Sequence, residues 1–287
     1  MIVGVIGAGA WGCALGITSA RGGSDVVIWS FDGEWVKFPG VDTPNNIKIT
    51  RNMDDMGNVD VWVIATPAAF FRQTIARASP LYRGQPIIIC TKGAEPDTGA
   101  FMSDILIEKI PNCKNLGVLS GPQFAAEVAS GVPTGSTIGG NSVVCDVAAR
   151  AFPELYLNPT DDLIGVQLCG VGKNATALIC GYNSIVAAGE NERALVLCKC
   201  WNEIVRIGIA AHARPETFLD LCGVGDLFLS ATSVSSRNYS AGISIARGDC
   251  PTGTVEGITA LSGLITFAKK YRVKTPTLLD MYRRMGL

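Results

Sequence analysis

The chain has 287 residues, and its 24 lysines and arginines nearly balance 25 aspartates and glutamates, for a formal net charge of −1. This length predicts about two domains with substantial cores, and the balanced charge argues against a nucleic-acid partner or a polybasic membrane surface. Mean hydropathy is high at +0.29, but Gly, Pro or charged residues interrupt the apolar runs before the roughly 20 residues that a membrane span needs. We therefore expect no integral membrane segment.

The ten cysteines are scattered through apolar stretches and form no CxxC pair. Cysteines in such surroundings are typical of small buried hydrophobic residues, and the N-terminus has no basic leader, so we expect a cytoplasmic protein with reduced thiols. His212 is the single histidine. A Cys/His metal site is therefore not expected, and we interpret His212 as a structural or surface residue.

The first segment, Ile2 to Gly12, is an apolar run that leads directly into a Gly-x-Gly-x-x-Gly pattern at Gly7, Gly9 and Gly12. This pattern predicts a β-strand, a tight turn at Gly7, close approach of the backbone to a pyrophosphate at Gly9, and close helix packing at Gly12. The helix N-terminus would then face the phosphates. A glycine-rich structural turn that binds no phosphate is the alternative.

The following residues favour the dinucleotide interpretation. Residues from Ala14 to Arg21 are compatible with a helix that Gly22 and Gly23 end, and Val26 to Trp29 is a second apolar β run. Asp32 lies twenty positions after Gly12. A carboxylate there can accept hydrogen bonds from the adenosine ribose and repel a 2′-phosphate, which favours NAD while leaving NADP open.

Apolar runs bounded by turn residues then alternate with segments of helical potential. The predicted strands are Val61–Ala65, Ile87–Cys90, Leu116–Leu119, Ser136–Gly139 and a last one at Leu155–Leu157. The predicted helices are Ala68–Ala78, Thr98–Ile110, Phe124–Ser130 and Asn141–Phe152. This alternation predicts an α/β fold, a doubly wound parallel sheet of the Rossmann type.

The amino-acid composition changes near Asp161, after which stretches such as Ala175–Ala188 and Ala194–Ala211 are rich in Ala, Leu, Ile and Cys. These residues favour helices, and Pro and Gly punctuate them. We predict a Rossmann domain over residues 1–160 and an all-helical domain over residues 161–287.

Two lysines are candidates for chemistry. Lys92 follows a predicted strand inside a glycine-flanked turn, at the sheet edge where α/β folds bind ligands; the alternative is a solvated surface lysine. Lys173 lies inside an apolar run. Burying its ammonium is costly unless the group is paired or its pKa shifts, so Lys173 is a candidate acid or base. A lysine that packs its stem and exposes its head is the alternative.

Two later segments carry further polar groups. Asp226 follows a glycine-rich turn, and Ser236, Arg237 and Asn238 precede a helical stretch. Guanidinium donors at a helix start can hold a phosphate. The alternative is that Ser236 and Asn238 only cap the helix while Arg237 is a surface charge.

Taken in order, these segments resemble the motif series of the bacterial type of NAD(P)-dependent glycerol-3-phosphate dehydrogenase. The motifs are GAGAWG, CTKGAE, LSGPQFAAEV, GVGKN, GVGDLF, SSRN and TVEG. The resemblance extends from Ile2 to Arg284. It implies reversible reduction of dihydroxyacetone phosphate to sn-glycerol 3-phosphate with NAD(P)H, feeding glycerophospholipid synthesis, by a homodimer.

The resemblance also implies roles for single residues. Lys173 corresponds to the catalytic lysine, and as hydride reaches the ketone carbon its ammonium can stabilise and protonate the oxygen. The substrate-binding residues implied are Lys92, Gly121, Gln123, Lys173, Asp226, Ser236, Arg237 and Asn238. The cofactor-binding residues expected are Gly7, Gly9, Ala10, Trp11, Gly12, Phe31 over the adenine face, Asp32, Lys92, Ala125, Arg237 and Glu256.

The sequence departs from the family pattern in three places. Gln123 stands where the family usually has a small polar residue, and the segments from Asp32 to Asn46 and from Arg247 to Thr254 are short. A β-hydroxyacid or 6-phosphogluconate type of dehydrogenase is an alternative, but that group separates its lysine and asparagine, whereas Lys173 and Asn174 are adjacent. A non-catalytic NAD-binding redox sensor is a second alternative, which the joint presence of the candidate polar residues disfavours.

Overall fold

The computed structural model of the protein describes residues 1–251 and 255–287. The segment from Arg247 to Thr254 that we expect to be short therefore lies partly outside the described residues. The chain forms two compact units. The first comprises Met1–Thr91, Met102–Leu119 and Gln123–Leu163, and the second comprises Lys92–Phe101, Ser120–Pro122 and Ile164–Leu287.

The first unit is built on an eight-stranded sheet in the order β3-β2-β1-β4-β5-β6-β7-β8. Its strands are β1 (Ile2–Ile6), β2 (Asp25–Trp29), β3 (Ile47–Thr50), β4 (Val61–Ile64), β5 (Ile87–Ile89), β6 (Leu116–Ser120), β7 (Gly135–Gly140) and β8 (Tyr156–Thr160). β1 pairs in parallel with both β2 and β4, so that the last residue of each, Ile6, Trp29 and Ile64, share one register. The strand order reverses at β1, which creates the crevice where such sheets bind ligands.

Five helices connect these strands: α1 (Ala10–Arg21), α2 (Ala68–Ala78), α3 (Met102–Lys109), α4 (Ala125–Ala129) and α5 (Ser142–Ala151). One core cluster joins α1 and α5 to the sheet through fully buried side chains such as Leu15, Val63 and Val144. Strands buried on both faces read as continuous apolar runs, which is why Val61–Ile64 and Ile87–Ile89 could be predicted from sequence.

The turn between β1 and α1 depends on its three glycines. Gly7 adopts a φ of +116°, a conformation that favours glycine, and its N–H donates to the carbonyl of Trp29 (3.1 Å). A Cβ at Gly12 would fall on the carbonyl oxygen of Gly7, whereas a Cβ at Gly9 would have no atom within 4 Å. Gly12 thus allows close helix packing, and Gly9 leaves open space beside the backbone.

The structure also differs from the predicted elements. The strand Ile47–Thr50 was not predicted, because four residues at the sheet edge, none of them buried, give too weak an alternation. The predicted helix Thr98–Ile110 begins only at Met102, since Gly99 turns the chain with a φ of +65°. The last strand runs to Thr160 and contains Pro159, which an edge position tolerates.

The second unit is helical, as predicted. Its helices are α6 (Leu163–Val186), α7 (Glu190–Ala210), α8 (Asp226–Ala231), α9 (Arg237–Arg247), α10 (Glu256–Lys270) and α11 (Pro276–Arg284). α6 is long and apolar enough to cross a membrane, but 83% of its most apolar 18-residue window is buried inside the protein. That burial is typical of a central core helix.

The second and third glycines of the turn, Gly9 and Gly12, provide a stability test. We expect Gly12→Ala to lower the free energy of unfolding by about 1–3 kcal/mol, because the new methyl group collides with backbone that cannot move aside. Gly9→Ala should stay within about 1 kcal/mol of the wild type, since the new methyl group enters open space. Urea denaturation without added cofactor measures both. Equal losses in the two variants would contradict this account of the turn.

Candidate active site

A buried carboxylate in the second unit binds two lysines. Asp226 is only 1% exposed, and its Oδ2 lies 2.6 Å from Lys92 Nζ while its Oδ1 lies 3.0 Å from Lys173 Nζ. The lysine side chains are 16% and 13% exposed. Lys92 is therefore not a solvated surface lysine, and Lys173 does not pack its stem while exposing its head. The three groups form one ionic cluster.

Local sequence explains how the cluster forms. Lys173 lies in the middle of α6, and Gly170, one turn earlier, leaves room for the stem of Lys92, whose Cγ would be 3.3 Å from a Cβ at that position. Asp226 is the first residue of α8, preceded by a π-helical turn over Leu221–Gly225. Such π turns are frequent at functional sites.

The electrostatics of Lys173 and Asp226 follow from this burial. Desolvation lowers the pKa of the Lys173 ammonium, and the positive charge of Lys92 lowers it further, against the opposing effect of Asp226. Burial by itself would raise the pKa of the Asp226 carboxyl, but Lys173 and Lys92 outweigh this effect and hold that pKa below its usual value. Asp226 therefore stays ionised, and Lys173 can release its proton more readily than an ordinary lysine.

Lys92 and Lys173 each use two of their three N–H donors within the described residues. Lys173 Nζ donates to Ser230 Oγ (2.9 Å) besides Asp226, and Ser230 Oγ donates in turn to Asp226 Oδ1 (3.2 Å). Lys92 Nζ donates to the carbonyl of Gly121 (3.2 Å) and to Asp226. Because an ammonium has three donors, one N–H of each lysine has no partner among the described residues and remains for a ligand.

No role for Ser230 is predicted from the sequence. The available signal was its position four residues after Asp226, which places both side chains on one face of α8.

Asn174 links this cluster to the start of α9. Its Oδ1 accepts from Asn238 Nδ2 (2.8 Å), and Asn238 Oδ1 accepts from the N–H of Gly257 (2.9 Å). Asn174 Nδ2 lies 3.5 Å from Glu256 Oε2. The sequence motifs predict ligand contacts for Asn238 and Glu256, whereas Asn174 has no predicted role beyond its place beside Lys173.

The Ser236-Arg237-Asn238 segment divides into two kinds of residue. Ser236 Oγ caps α9 by accepting from the N–H of Tyr239 (3.4 Å), and Asn238 is buried in the chain of amide hydrogen bonds. Arg237 is the first residue of the helix and is exposed. The capping interpretation therefore holds for Ser236 but not for Asn238, whose amide bonds to Asn174 and Gly257 instead. The guanidinium of Arg237 has no hydrogen bond or ion pair within the described part of the chain.

Not all candidate substrate residues join this network. Gln123 and Ala125 belong to the first unit, where Gln123 Oε1 accepts from Ser136 Oγ (2.7 Å). Gln123 Nε2 is buried and has no hydrogen-bond partner among the described residues. Their contact with substrate or cofactor stays a prediction.

The first unit contains a cleft of about 710 Å³ at the carboxyl ends of β1, β2 and β4. Gly7, Gly9, Phe31 and Asp32 line it, and Phe31 is 77% exposed. The buried Oγ1 of Thr66, which also lines the cleft, has no hydrogen-bond partner within the described residues. An open Gly9, an unpartnered hydroxyl and an accessible aromatic ring fit a dinucleotide.

Asp32 retains an oxygen for such a ligand. The N–H of Glu34 and the hydroxyl of Ser30 both donate to its Oδ1 (3.0 Å each) and lower the pKa of the carboxyl. The other oxygen, Oδ2, has no hydrogen bond within residues 1–251 and 255–287. An ionised carboxylate with one free oxygen suits a ribose hydroxyl.

The other expected cofactor residues lie next to this cleft or in the second unit. Ala10 begins α1, and Trp11 is half-buried with an indole Nε1 that lacks a partner among the described residues. Glu256 begins α10. Their contacts with the cofactor stay predictions.

His212 follows α7 in an exposed turn with a φ of +66°. Its position is that of the surface residue in our sequence interpretation. Among the described residues, His, Cys, Asp and Glu form no group of three that could hold a metal ion.

Comparisons with known proteins find similar sequences over most of the chain. Two models of the NAD-dependent glycerol-3-phosphate dehydrogenase family match the chain, the N-terminal one over residues 2–145 and the C-terminal one over residues 162–285. The chain is 38% identical over 256 residues to the glycerol-3-phosphate dehydrogenase (NAD(P)+) of Paramagnetospirillum magneticum, covering 83% of this chain and 92% of that relative. It is 32% identical over 296 residues to the enzyme of that name from Parvibaculum lavamentivorans, covering 96% and 89%.

A solved structure shows the same architecture. The crystal structure of glycerol-3-phosphate dehydrogenase from Coxiella burnetii superimposes with a TM-score of 0.92 at 25% identity, covering 99% of this chain and 94% of that one. The predicted fold class, an α/β Rossmann sheet followed by a helical region, is confirmed.

The buried cluster predicts a large difference between two ion pairs of the second unit. Asp226→Ala should lower the free energy of unfolding by about 3–5 kcal/mol, because two buried ammonium groups lose their counter-ion. Asp280→Ala removes an exposed carboxylate that pairs with Arg284 at 2.9 Å, and should cost about 0.5 kcal/mol. Urea denaturation measures both variants, and a similar cost for the two would show that Asp226 does not balance the lysines.

Proposed function

The chain belongs to the NAD-dependent glycerol-3-phosphate dehydrogenase family, and from that premise we propose that Lys173 is its catalytic acid. The reaction is the reduction of dihydroxyacetone phosphate to sn-glycerol 3-phosphate with NAD(P)H. The single observation that carries the role of Lys173 is its buried ammonium, which is held by Asp226 and Ser230 and keeps one N–H free.

The chemistry needs a proton donor at the ketone oxygen. NAD(P)H, when bound, supplies the hydride that adds to the carbonyl carbon. Negative charge then grows on the carbonyl oxygen, where the free N–H of Lys173 stabilises it and delivers a proton. The neutral amine regains a proton from water, and in the reverse direction it acts as the base.

Lys92, Asp226 and Ser230 tune this donor. Asp226 and Ser230 fix the Lys173 ammonium from two sides, which restricts its rotation and aims the third N–H. Lys92 lowers the pKa of Lys173 through like charge and offers a second free N–H to the substrate. The three charged groups carry a net charge of +1, which complements an anionic transition state.

The phosphate end of the substrate has a separate holder in this proposal. Arg237 has an uncommitted guanidinium at the start of α9, next to Asn238, whose amide binds the neighbour of Lys173. Two parallel N–H bonds from a guanidinium suit a phosphate, and the helix N-terminus adds favourable charge. Such remote binding energy orients the ketone. Gly121, Gln123 and Ser236 complete the proposed substrate set.

The cleft of the first unit is the proposed cofactor site. Gly7, Gly9 and Gly12 would approach the pyrophosphate, Asp32 the ribose and Phe31 the adenine. Ala10, Trp11, Ala125 and Glu256, with Lys92 and Arg237, are the further cofactor contacts of the proposal. We also propose that residues 1–160 form the cofactor domain and residues 161–287 the catalytic domain. The segments Lys92–Phe101 and Ser120–Pro122 belong to the second unit and contribute to the catalytic domain.

Assembly, location and pathway are part of the same proposal. Three apolar side chains of the second unit are largely exposed: Leu219 (73%), Phe228 (73%) and Val234 (72%). Their exposure supports a homodimer. The ten cysteines remain thiols, which supports the cytoplasm. Supply of sn-glycerol 3-phosphate to glycerophospholipid synthesis is the metabolic role that we infer.

Kinetics of three variants test the catalytic and phosphate roles. Lys173→Ala should lower kcat for dihydroxyacetone phosphate reduction by about 10²–10⁴-fold, the usual contribution of a general acid. Arg237→Ala should raise the KM for this substrate about tenfold or more, because a charge-assisted phosphate contact is lost. Arg247→Ala, at the other end of α9, is the control and should resemble the wild type in NADH oxidation assays.

Full turnover in the Lys173→Ala protein would refute its role as the acid. An equal rise in KM for the two arginine variants would show that Arg237 contributes only general surface charge.

The pH dependence of kcat tests the electrostatics of Lys173, because two variants should shift the pH profile in opposite directions. Reduction needs protonated Lys173, so kcat should fall on the alkaline side at the pKa of this ammonium, which burial holds below the usual lysine value. Asp226 raises this pKa most strongly, ahead of Glu256, so in Asp226→Asn the decline should move to lower pH. Lys92→Met removes a positive neighbour, so the decline should move to higher pH. Profiles that shift in the same direction, or not at all, would contradict the proposed coupling.

A further inference from the structure

Arg77 is a cationic residue of the proposed cofactor cleft to which the function described so far gives no role. It lies near the C-terminal end of α2, is exposed, and lines the cleft together with Asp32. Its guanidinium carbon lies 5.5 Å from the ring centroid of Trp29. Trp29 is 4% exposed, so the guanidinium rests on a fixed aromatic surface at the end of β2.

Trp29 itself is held rigidly. Its Nε1 donates to the carbonyl of Arg51 (3.2 Å), and the ring of Phe31 contacts it edge-on with centroids 6.4 Å apart. The indole therefore contacts both Phe31 and Arg77, which line the cleft. Holding a guanidinium in place reduces the entropy that ligand binding must otherwise overcome.

The charges around the cleft leave Arg77 uncommitted. Three charged side chains line it among the described residues: Asp32, Glu34 and Arg77. Arg51 helps to lower the pKa of Asp32, and its stem crosses Gly33, with Cδ 2.9 Å from where a Cβ would lie. Asp32 thus has a counter-ion outside the cleft lining, while Arg77 has no ion pair within the described part of the chain.

We propose that Arg77 binds the 2′-phosphate of NADP(H) and, in opposition to Asp32, sets the cofactor preference of this protein. A guanidinium presents paired N–H donors that match phosphate oxygens. Asp32 and Glu34 repel a further dianion, so this cation is needed if the cleft is to accept the phosphorylated cofactor. The inference rests on the proposed cofactor role of the cleft.

Binding of two adenosine fragments tests the inference without turnover. Isothermal titration calorimetry compares ADP-ribose with 2′-phospho-ADP-ribose on the wild type, on Arg77→Gln and on Arg72→Gln. Arg72 is the matched control because it lies on α2, pairs with Glu108 at 2.6 Å and does not line the cleft.

We expect Arg77→Gln to weaken 2′-phospho-ADP-ribose about tenfold or more, the usual effect of losing a charged hydrogen-bond pair. ADP-ribose should bind within about twofold of the wild type, since it lacks the phosphate that Arg77 contacts. Arg72→Gln should leave both affinities unchanged. Asp32→Asn should strengthen 2′-phospho-ADP-ribose relative to ADP-ribose, because it removes a repelling charge.

Other results would overturn the inference in distinguishable ways. Equal weakening of the two fragments by Arg77→Gln would mean that Arg77 stacks on the adenine, which both contain. No weakening of either fragment would exclude any contact. If ADP-ribose itself failed to bind the wild type, the proposed cofactor site would be wrong, and the role of Arg77 with it.

Discussion

One buried carboxylate, that of Asp226, makes the proposed catalytic arrangement physically possible. Two ammonium groups in a nearly dry site would repel each other and lose their protons, unless an anion lay between them. Asp226 binds both at hydrogen-bond distance and is itself excluded from water. Because of this burial, removing any one of the three charged groups should lower the free energy of unfolding.

The same constraint explains why Lys173 suits proton transfer. An exposed lysine stays protonated far above neutral pH and gives up its proton reluctantly. Burial and the proximity of Lys92 lower the pKa of Lys173, while Asp226 limits the fall. In the proposed mechanism, this balance makes Lys173 a better proton donor than an ordinary lysine. Ser230 adds direction rather than charge, because its hydroxyl bridges Lys173 and Asp226.

Much of the architecture was accessible from sequence, and the failures are informative. The strand Val61–Ile64 and the glycine turn were predicted because buried parallel strands and crowded backbone leave few acceptable residues. The edge strand Ile47–Thr50 was missed because its exposure removes that constraint. Ordered motifs identified Lys173 and Asp226 as candidates. The contacts of Ser230 with Lys173 and of Asn174 with Asn238 join different helices, and no local pattern encodes them.

The sequence by itself determined the alternation of strands and helices, the positions of Gly7 and Gly12, and the family to which the chain belongs. These properties depend on local sterics, on the period of apolar residues and on the order of motifs. Only the tertiary structure decided that Lys92 and Asp226, 134 residues apart, form an ion pair at 2.6 Å. It also decided the direction in which the pKa of Lys173 moves, because desolvation and Coulomb interactions depend on distance in space and not on distance along the chain.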